Sequence, residues 1–310
     1  MRVLFWGTPE FATPALRALI GEGFEVVGAV TQPDKAVGRS RSTLAAPAVK
    51  RIALEEAIPI LQPQRPRGNE FLAQITALQP DISVVVAYGH VLSTDVIELP
   101  RYGTVNIHAS LLPALRGAAP IQAAIRDGHA ATGVTIMRMV KALDAGPVVL
   151  QARTPIPEDE TFGELQVRLA EMGAMAVIEA LALIEMGCAP ETPQNDVNAT
   201  YAPKIDRAMA RVDWTESAHV VSRLVRAYDP RPGAFTQTAN AEIKLFGARV
   251  SAMVSRCAPG TVVAVDADGM TVACGSGAVQ VATVQPAAKR RIAPHEWARG
   301  RGISPGERLF

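Results

Sequence analysis

Arg2-Val3-Leu4-Phe5-Trp6-Gly7-Thr8-Pro9-Glu10 is a short apolar run that stops at a turn. The run predicts a buried strand, and the turn predicts a helix start with Thr8 as N-cap and Pro9 at the first helical position. Phe11, Pro14, Ala15, Leu16, Leu19 and Ile20 then recur at helical spacing, and Glu25–Val30 reads as a second buried strand. Strand, turn, helix and strand in this order predict an α/β fold, a Rossmann-like parallel sheet wound with helices. Gly7-Thr8-Pro9 lacks the glycine spacing of a dinucleotide-binding turn, so no nucleotide cofactor follows from it.

Working outward, hydrophobic periodicity predicts helices over Ala45–Ala57, Asn69–Leu78, Ser93–Leu99 and Thr161–Met186. Ile82–Val86 and Thr104–Ile107 read as further buried strands, and Gly133–Met139 with Pro147–Thr154 as an antiparallel pair. Pro190–Tyr201, rich in Pro, Asn and Thr, reads as a linker. Beyond it, a helix over Ser217–Arg226 and a turn at Asp229–Gly233 lead into Ala234–Thr238, Glu242–Val250, Gly260–Val265, Gly269–Ala273 and Ala278–Thr283. Five short strands separated by Gly and Asp turns predict a small closed β-barrel of the oligonucleotide-binding type. The chain of 310 residues is therefore expected to form a domain over 1–189, a linker over 190–204 and a C-terminal barrel domain over 205–310.

Charge divides unevenly between these parts. Residues 205–310 hold 14 Lys and Arg against 9 Asp and Glu, whereas the remainder holds 17 against 21. A net-positive barrel domain permits an anionic partner without requiring one. Cys188, Cys257 and Cys274 are odd in number and match no metal spacing, which predicts free thiols in a reducing compartment and no bound metal. The apolar run Val3–Trp6 is too short for a signal sequence, and no stretch reaches the roughly 20 apolar residues of a membrane span. These features predict a cytoplasmic protein away from membranes. The small barrel and short linker suggest a monomer.

Chemistry concentrates at Thr104-Val105-Asn106-Ile107-His108. Side chains alternate along a strand, so Asn106 and His108 share one face while Val105 and Ile107 enter a core. By itself such a pair is an ordinary polar strand end. The loop after it, Ser110-Leu111-Leu112-Pro113, changes the reading, because parallel sheets gather ligands at the carboxyl ends of their strands. There an amide can hydrogen-bond a developing oxyanion and an imidazole can move a proton, which suits acyl transfer. Asp144, in Leu143-Asp144-Ala145-Gly146, is either a routine turn residue or the acid that such a site lacks. His90, His129, His219 and His295 are scattered without ligand spacing.

Asn106-x-His108, Ser110–Pro113 and Leu143-Asp144-x-Gly146 together resemble the folate-dependent formyltransferases. Gly7–Phe11, Thr31–Asp34, Val84–Gly89, Arg116–Gln122 and Gly133–Met137 narrow the resemblance to members whose acceptor is methionine carried on initiator tRNA. The resemblance spans about residues 2 to 306. It implies that 10-formyltetrahydrofolate is the formyl donor and that the acceptor's amine is the nucleophile, a reaction of translation initiation. It also implies catalytic roles for Asn106, His108 and Asp144. The folate would lie against Ser110, Leu111, Leu112 and Pro113 and near Val86, Tyr88 and Gly89. The basic loop Gln32–Ala46 carries Lys35, Arg39 and Arg41, and the resemblance directs it, Arg39 above all, to the tRNA acceptor stem. Lys289-Arg290-Arg291, after the last barrel strand, is a second candidate for nucleic-acid contact. Two positions depart from the family's pattern: Ala114 stands where an arginine is common, and Ala145 where a threonine is usual. Rival readings are a formyltransferase acting on a small amine, a formyltetrahydrofolate hydrolase, and a non-catalytic tRNA-binding module. The basic loop and the barrel speak against a small substrate.

Overall fold

The computed structural model describes residues 1–37, 43–239, 241–253 and 255–310. They form two compact units. The first holds residues 1–117, 132–154 and 166–201, and the second holds 118–131, 155–165 and 202–310. Residues 118–131 and 155–165 thus pack with the C-terminal part of the chain, although sequence order groups them with the first.

In the first unit, strands β1 (Arg2–Gly7), β2 (Glu25–Val30), β5 (Ile60–Leu61), β6 (Ile82–Val86), β7 (Thr104–His108), β8 (Ala131–Arg138) and β9 (Val148–Pro155) form one sheet. Their order is β5-β2-β1-β6-β7-β8-β9. The pairs β5/β2, β2/β1, β1/β6 and β6/β7 are parallel, and β7/β8 is antiparallel. The chain fills one side of β1 and then returns to its other side, so the order reverses between β1 and β6. In such sheets ligands bind at this reversal, outside the carboxyl ends. In a separate two-stranded sheet β3 (Lys35–Val37) pairs antiparallel with β4 (Thr43–Ala45).

Helices α1 (Thr13–Gly21), α2 (Ala48–Glu55), α3 (Asn69–Ala77), α4 (Thr94–Ile97) and α6 (Phe162–Glu185) accompany the sheet. Leu4, Trp6, Val30, Phe71, Ile75 and Tyr88 form one buried cluster, in which Trp6 meets Phe71 and Tyr88 edge-on. The one polar atom of the Trp6 side chain is satisfied by the Ser83 hydroxyl at 3.1 Å. On α6, a side chain at Gly173 would place its Cβ 2.8 Å from Ile107 Cγ2. Glycine there lets the helix press directly on the strand that carries Asn106 and His108.

Two helix starts differ from expectation. Thr8 is not an N-cap; its hydroxyl donates to the Tyr88 carbonyl at 3.0 Å, and α1 begins only at Thr13 after a 3-10 turn over Glu10–Ala12. The helix expected from Ala45 begins at Ala48, because Thr43–Ala45 pairs as β4 and Pro47 is the N-cap. Among the described residues no helix is long and apolar enough to cross a membrane.

The second unit contains α5 (Pro120–Arg126), α7 (Ala218–Ala227), α8 (Pro294–Arg299) and five antiparallel strands. These are β10 (Ala234–Gln237), β11 (Glu242–Ser251), β12 (Val262–Val265), β13 (Met270–Ala273) and β14 (Ala278–Pro286), in the order β10-β11-β14-β13-β12. Ser217 caps α7 by accepting the Val220 N–H, an interaction worth about 1 kcal/mol. The end strands β10 and β12 are joined through residues 307–310. Val262 N–H donates to Glu307 O and Leu309 N–H to Gly260 O, each at 2.8 Å, while Phe310 exchanges backbone hydrogen bonds with Gln237. The last residues therefore complete the small barrel.

Candidate active site

Strand β7 delivers Asn106 and His108 to one face, as the alternation requires: Val105 and Ile107 are buried, Asn106 is half-buried and His108 is buried. In register with β8, Asn106 lies opposite Met137 and His108 opposite Thr135. Among the described residues no side-chain hydrogen bond engages the Asn106 amide.

The His108 ring is fixed from both sides. Its Nε2 lies 3.0 Å from the Leu115 carbonyl, which only accepts, so Nε2 carries the proton. Its Nδ1 faces Asp144 Oδ2 at 3.7 Å. Burial pushes the imidazole below its ordinary value; the Asp144 charge and the Leu115 carbonyl oppose that shift without overturning it. The resting ring is thus neutral, with a bare Nδ1 aimed at a carboxylate.

Asp144 adopts φ 48°, a left-handed conformation that Asp and Asn tolerate better than other side chains with a Cβ. Its Oδ2 also accepts the Gly117 N–H at 2.8 Å. The turn is locked by Gln194, whose Nε2 donates to the backbone carbonyls of Asp144 at 2.9 Å and Gly146 at 2.8 Å. Gln194 Oε1 in turn accepts from Arg116 Nε and Nη2, and Arg116 pairs with Asp196 at 2.7 Å. Arg116 is buried, so this fork holds its charge in place.

Gln194 is invisible in the sequence because it falls in Pro190–Tyr201, which reads as a linker. Those residues are in fact bonded along the first unit. Thr192 and Val148 exchange backbone hydrogen bonds at 2.8 Å, Thr200 Oγ1 accepts the Leu115 N–H at 2.9 Å, and Thr200 O accepts the Arg116 N–H at 2.8 Å. The available signal is composition: side chains rich in hydrogen-bonding groups, which suit long-range bonding as well as solvent. Replacing Gln194 with Ala should lower kcat by about 10- to 100-fold through misplacement of Asp144. KM values should change little, while Tm should also fall, because the buried Arg116 Nε loses its acceptor. Steady-state kinetics with a melting curve test this, and a Tm loss without a kcat loss would make Gln194 merely structural.

The neutral His108 also sets a pH dependence. Below about pH 6.5 the unfolded chain takes up a proton at this position that the buried ring resists. Stability therefore rises with pH across the window between the folded and ordinary values, and falls on acidification through it. In melting curves from pH 7.5 to 5, His108→Asn should show a shallower acid-side loss than the unmodified protein.

The loop after β7 uses much of its own backbone. Ser110 Oγ donates to Ala114 O, Leu112 N–H to Thr135 Oγ1 at 3.1 Å, and Gln151 Nε2 to Leu112 O at 2.8 Å. The Leu112–Pro113 peptide is cis. Leu112 and Ser110 are buried, while Leu111 and Pro113 are half-exposed. Val86, the last residue of β6, and Tyr88 beyond it are buried, and Gly89 is exposed. The loops after β1, β2 and β6 meet at the Tyr88 carbonyl, which accepts from both Thr8 Oγ1 and Gln32 Nε2 at 3.0 Å.

Lys35 is exposed on β3, and Arg39 and Arg41 lie outside the described residues. Lys289 and Arg290 are exposed on the turn after β14. Arg291 is engaged differently: its guanidinium lies 3.3 Å from the Phe246 ring centroid, donates to Pro230 O at 2.9 Å and pairs with Asp229. Arg291 thus stays exposed but is held by an aromatic face and a carboxylate, unlike its two neighbours. Among the described residues no group of three or more His, Cys, Asp or Glu could hold a metal ion.

Comparison with known proteins adds an independent line. The formyl transferase family profile matches residues 1–181, and the profile of the formyl transferase C-terminal domain matches residues 204–302. Methionyl-tRNA formyltransferase of Magnetococcus marinus is 46% identical over 309 residues, covering 99% of this chain and 98% of its own. The enzyme of the same name from Aromatoleum aromaticum is 45% identical over 309 residues, covering 100% and 97%. Among solved structures, HypX from Aquifex aeolicus in complex with tetrahydrofolic acid superposes with a TM-score of 0.66 at 20% identity. It covers 96% of this chain and 46% of its own, a likeness of fold. Identity of this depth, sustained through both parts of the chain, makes this protein a member of the formyl transferase family.

Proposed function

We propose that this protein transfers the formyl group of 10-formyltetrahydrofolate to the α-amino group of methionine on initiator tRNA. His108 carries the assignment, because its neutral ring offers an acceptor nitrogen directly opposite Asp144. The nucleophile is the neutral amine of the acceptor, so the enzyme needs no nucleophile of its own. As the amine bonds to the formyl carbon, the Asn106 amide donates to the oxygen on which negative charge develops. The proton shed by the amine enters the gap between His108 Nδ1 and Asp144 Oδ2, and leaves with the departing folate nitrogen. Gly117 N–H and Gln194 keep the carboxylate aimed at that gap.

The folate brings the one-carbon unit, and this chain's residues fit it at the carboxyl ends of β1, β6 and β7. Among the described residues the Tyr88 hydroxyl is buried without a hydrogen-bond partner, a donor that a polar ligand edge would satisfy. Gly89 sits at φ 88°, and a Cβ there would meet Gln32 Nε2 at 2.4 Å, so glycine keeps the loop close beside Gln32. Leu111 and Pro113 supply apolar contact, since the Leu112 backbone is already bonded. Asn106, His108 and Asp144 are assigned to catalysis, Val86, Tyr88, Gly89 and Ser110–Pro113 to folate. Lys35, Arg39, Arg41, Lys289, Arg290 and Arg291 are assigned to tRNA. The domain over 1–189 would hold the chemistry and that over 205–310 the tRNA. The protein works as a monomer in the cytoplasm.

The test is to supply formyl-labelled folate with and without methionyl-initiator tRNA and follow the label. It should appear on the methionine only when charged tRNA is present. Label released as formate without acceptor would establish a hydrolase, and label passed to a small amine while tRNA stays inert would establish a different acceptor.

A further inference from the structure

We propose that the second unit holds a binding site for a phosphate-type oxyanion, built on Arg223, Arg226 and Arg249. A cavity of about 420 Å³ lies within this unit, lined from α5 and the turn after it, residues 156–159, α7 and β11. That is at the lower end of the roughly 300–1,000 Å³ of small-molecule sites. Arg223 and Arg226 are three residues apart on α7 and so share a face, and Arg249 comes from β11.

Two observations point to an anion site. Among the described residues Nε of Arg223 and Nε of Arg226 are both buried with no hydrogen-bond partner, and Arg226 is only 5% exposed. Arg223 is half-buried as a whole, but unpaired donors at buried guanidinium nitrogens cost free energy that an anion would recover. The two charges also work against each other. Burial lowers the tendency of Arg226 to hold its proton and the Arg223 charge adds to this, while Asp159, Glu158 and Glu160 partly compensate. Glu158 and Asp159 line the same cavity from exposed positions, yet among the described residues neither comes within ion-pair distance of the three arginines.

The donor set selects the ligand. Three guanidinium groups from two elements suit an anion with oxygens in several directions, as phosphate has, better than a planar carboxylate. The volume leaves room for a sugar attached to it. Arg226 is fixed in the wall by its Nη1 hydrogen bond to Glu160 O at 3.0 Å, leaving Arg223 and Arg249 as the adjustable donors. The phosphate belongs either to a tRNA backbone or to a free phosphate compound.

Inorganic phosphate is the first probe, titrated into the full-length protein against chloride at matched ionic strength. Tm should rise saturably, by about 2–4 °C near saturation. Arg223→Gln and Arg249→Gln should each reduce the response, and the double variant should abolish it. Circular dichroism checks the fold, and Arg249→Gln, at an exposed position, serves alone if Arg223→Gln unfolds. A saturable rise that persists in the variants, or no rise beyond chloride in the unmodified protein, overturns the site. The second arm rests on the proposed acceptor and measures formylation. If the phosphate is tRNA's, the double variant raises KM for charged tRNA about 5- to 10-fold and reduces the salt slope by about one for each arginine–phosphate pair removed. An unchanged KM alongside a lost phosphate response assigns the site to a free phosphate compound. Because the first arm needs neither folate nor tRNA, failure of the site and failure of the acceptor assignment are separable.

Discussion

Asp144→Asn should lower kcat by about 10²- to 10⁴-fold, the usual span for losing a positioned acid–base group. Asparagine keeps what the backbone needs: it tolerates the φ of 48° and still offers an oxygen to the Gly117 N–H. What disappears is the negative charge opposite His108 Nδ1. The variant should therefore fold normally, with its deficit in kcat and in the pH profile. Asp144→Glu is the informative partner. It restores the charge but not the left-handed tolerance, and its longer arm overshoots Gly117. If charge alone mattered, glutamate would recover most of the rate. The geometry predicts that it does not, and single-turnover rates from pH 5 to 8 for the three proteins decide the matter. An Asn variant with normal turnover would remove Asp144 from the chemistry.

Asn106→Ala should cost about 10²- to 10³-fold in kcat, or about 3–4 kcal/mol, the measured worth of one oxyanion donor in comparable sites. KM for both substrates should remain within about threefold, because the charge that the amide meets exists only at the transition state. The position is half-buried, so a stability loss should be small. If KM rose while kcat held, the amide would be binding ground-state substrate instead.

The parts of this protein that are legible in sequence are those governed by local periodicity. Glu25–Val30 and Ile82–Val86 form strands at the expected residues, and Asn69 begins α3 as its pattern requires. The strand that places Asn106 and His108 is readable for the same reason, since alternation is a property of neighbouring residues. What escapes depends on partners far along the chain. Thr8 looks like an N-cap until Tyr88, eighty positions away, claims its hydroxyl. Gln194 looks like linker until its two ends meet Arg116 and the Asp144 turn. Arg291 looks equivalent to Lys289 and Arg290 until Phe246 and Asp229 are found against it. The facing of His108 and Asp144 needs the same distant information, and only the family's pattern brings it within reach of the sequence.

The bridging of β10 and β12 by residues 307–310 reaches beyond architecture. Exposed strand borders invite neighbouring molecules to extend the ladder, and that is how many β-rich proteins clump as they accumulate. Here Val262 and Gln237 on the two borders are bonded to the chain's own tail and the Phe235 carbonyl to Val212, so this side of the barrel leaves a neighbouring copy less ladder to extend.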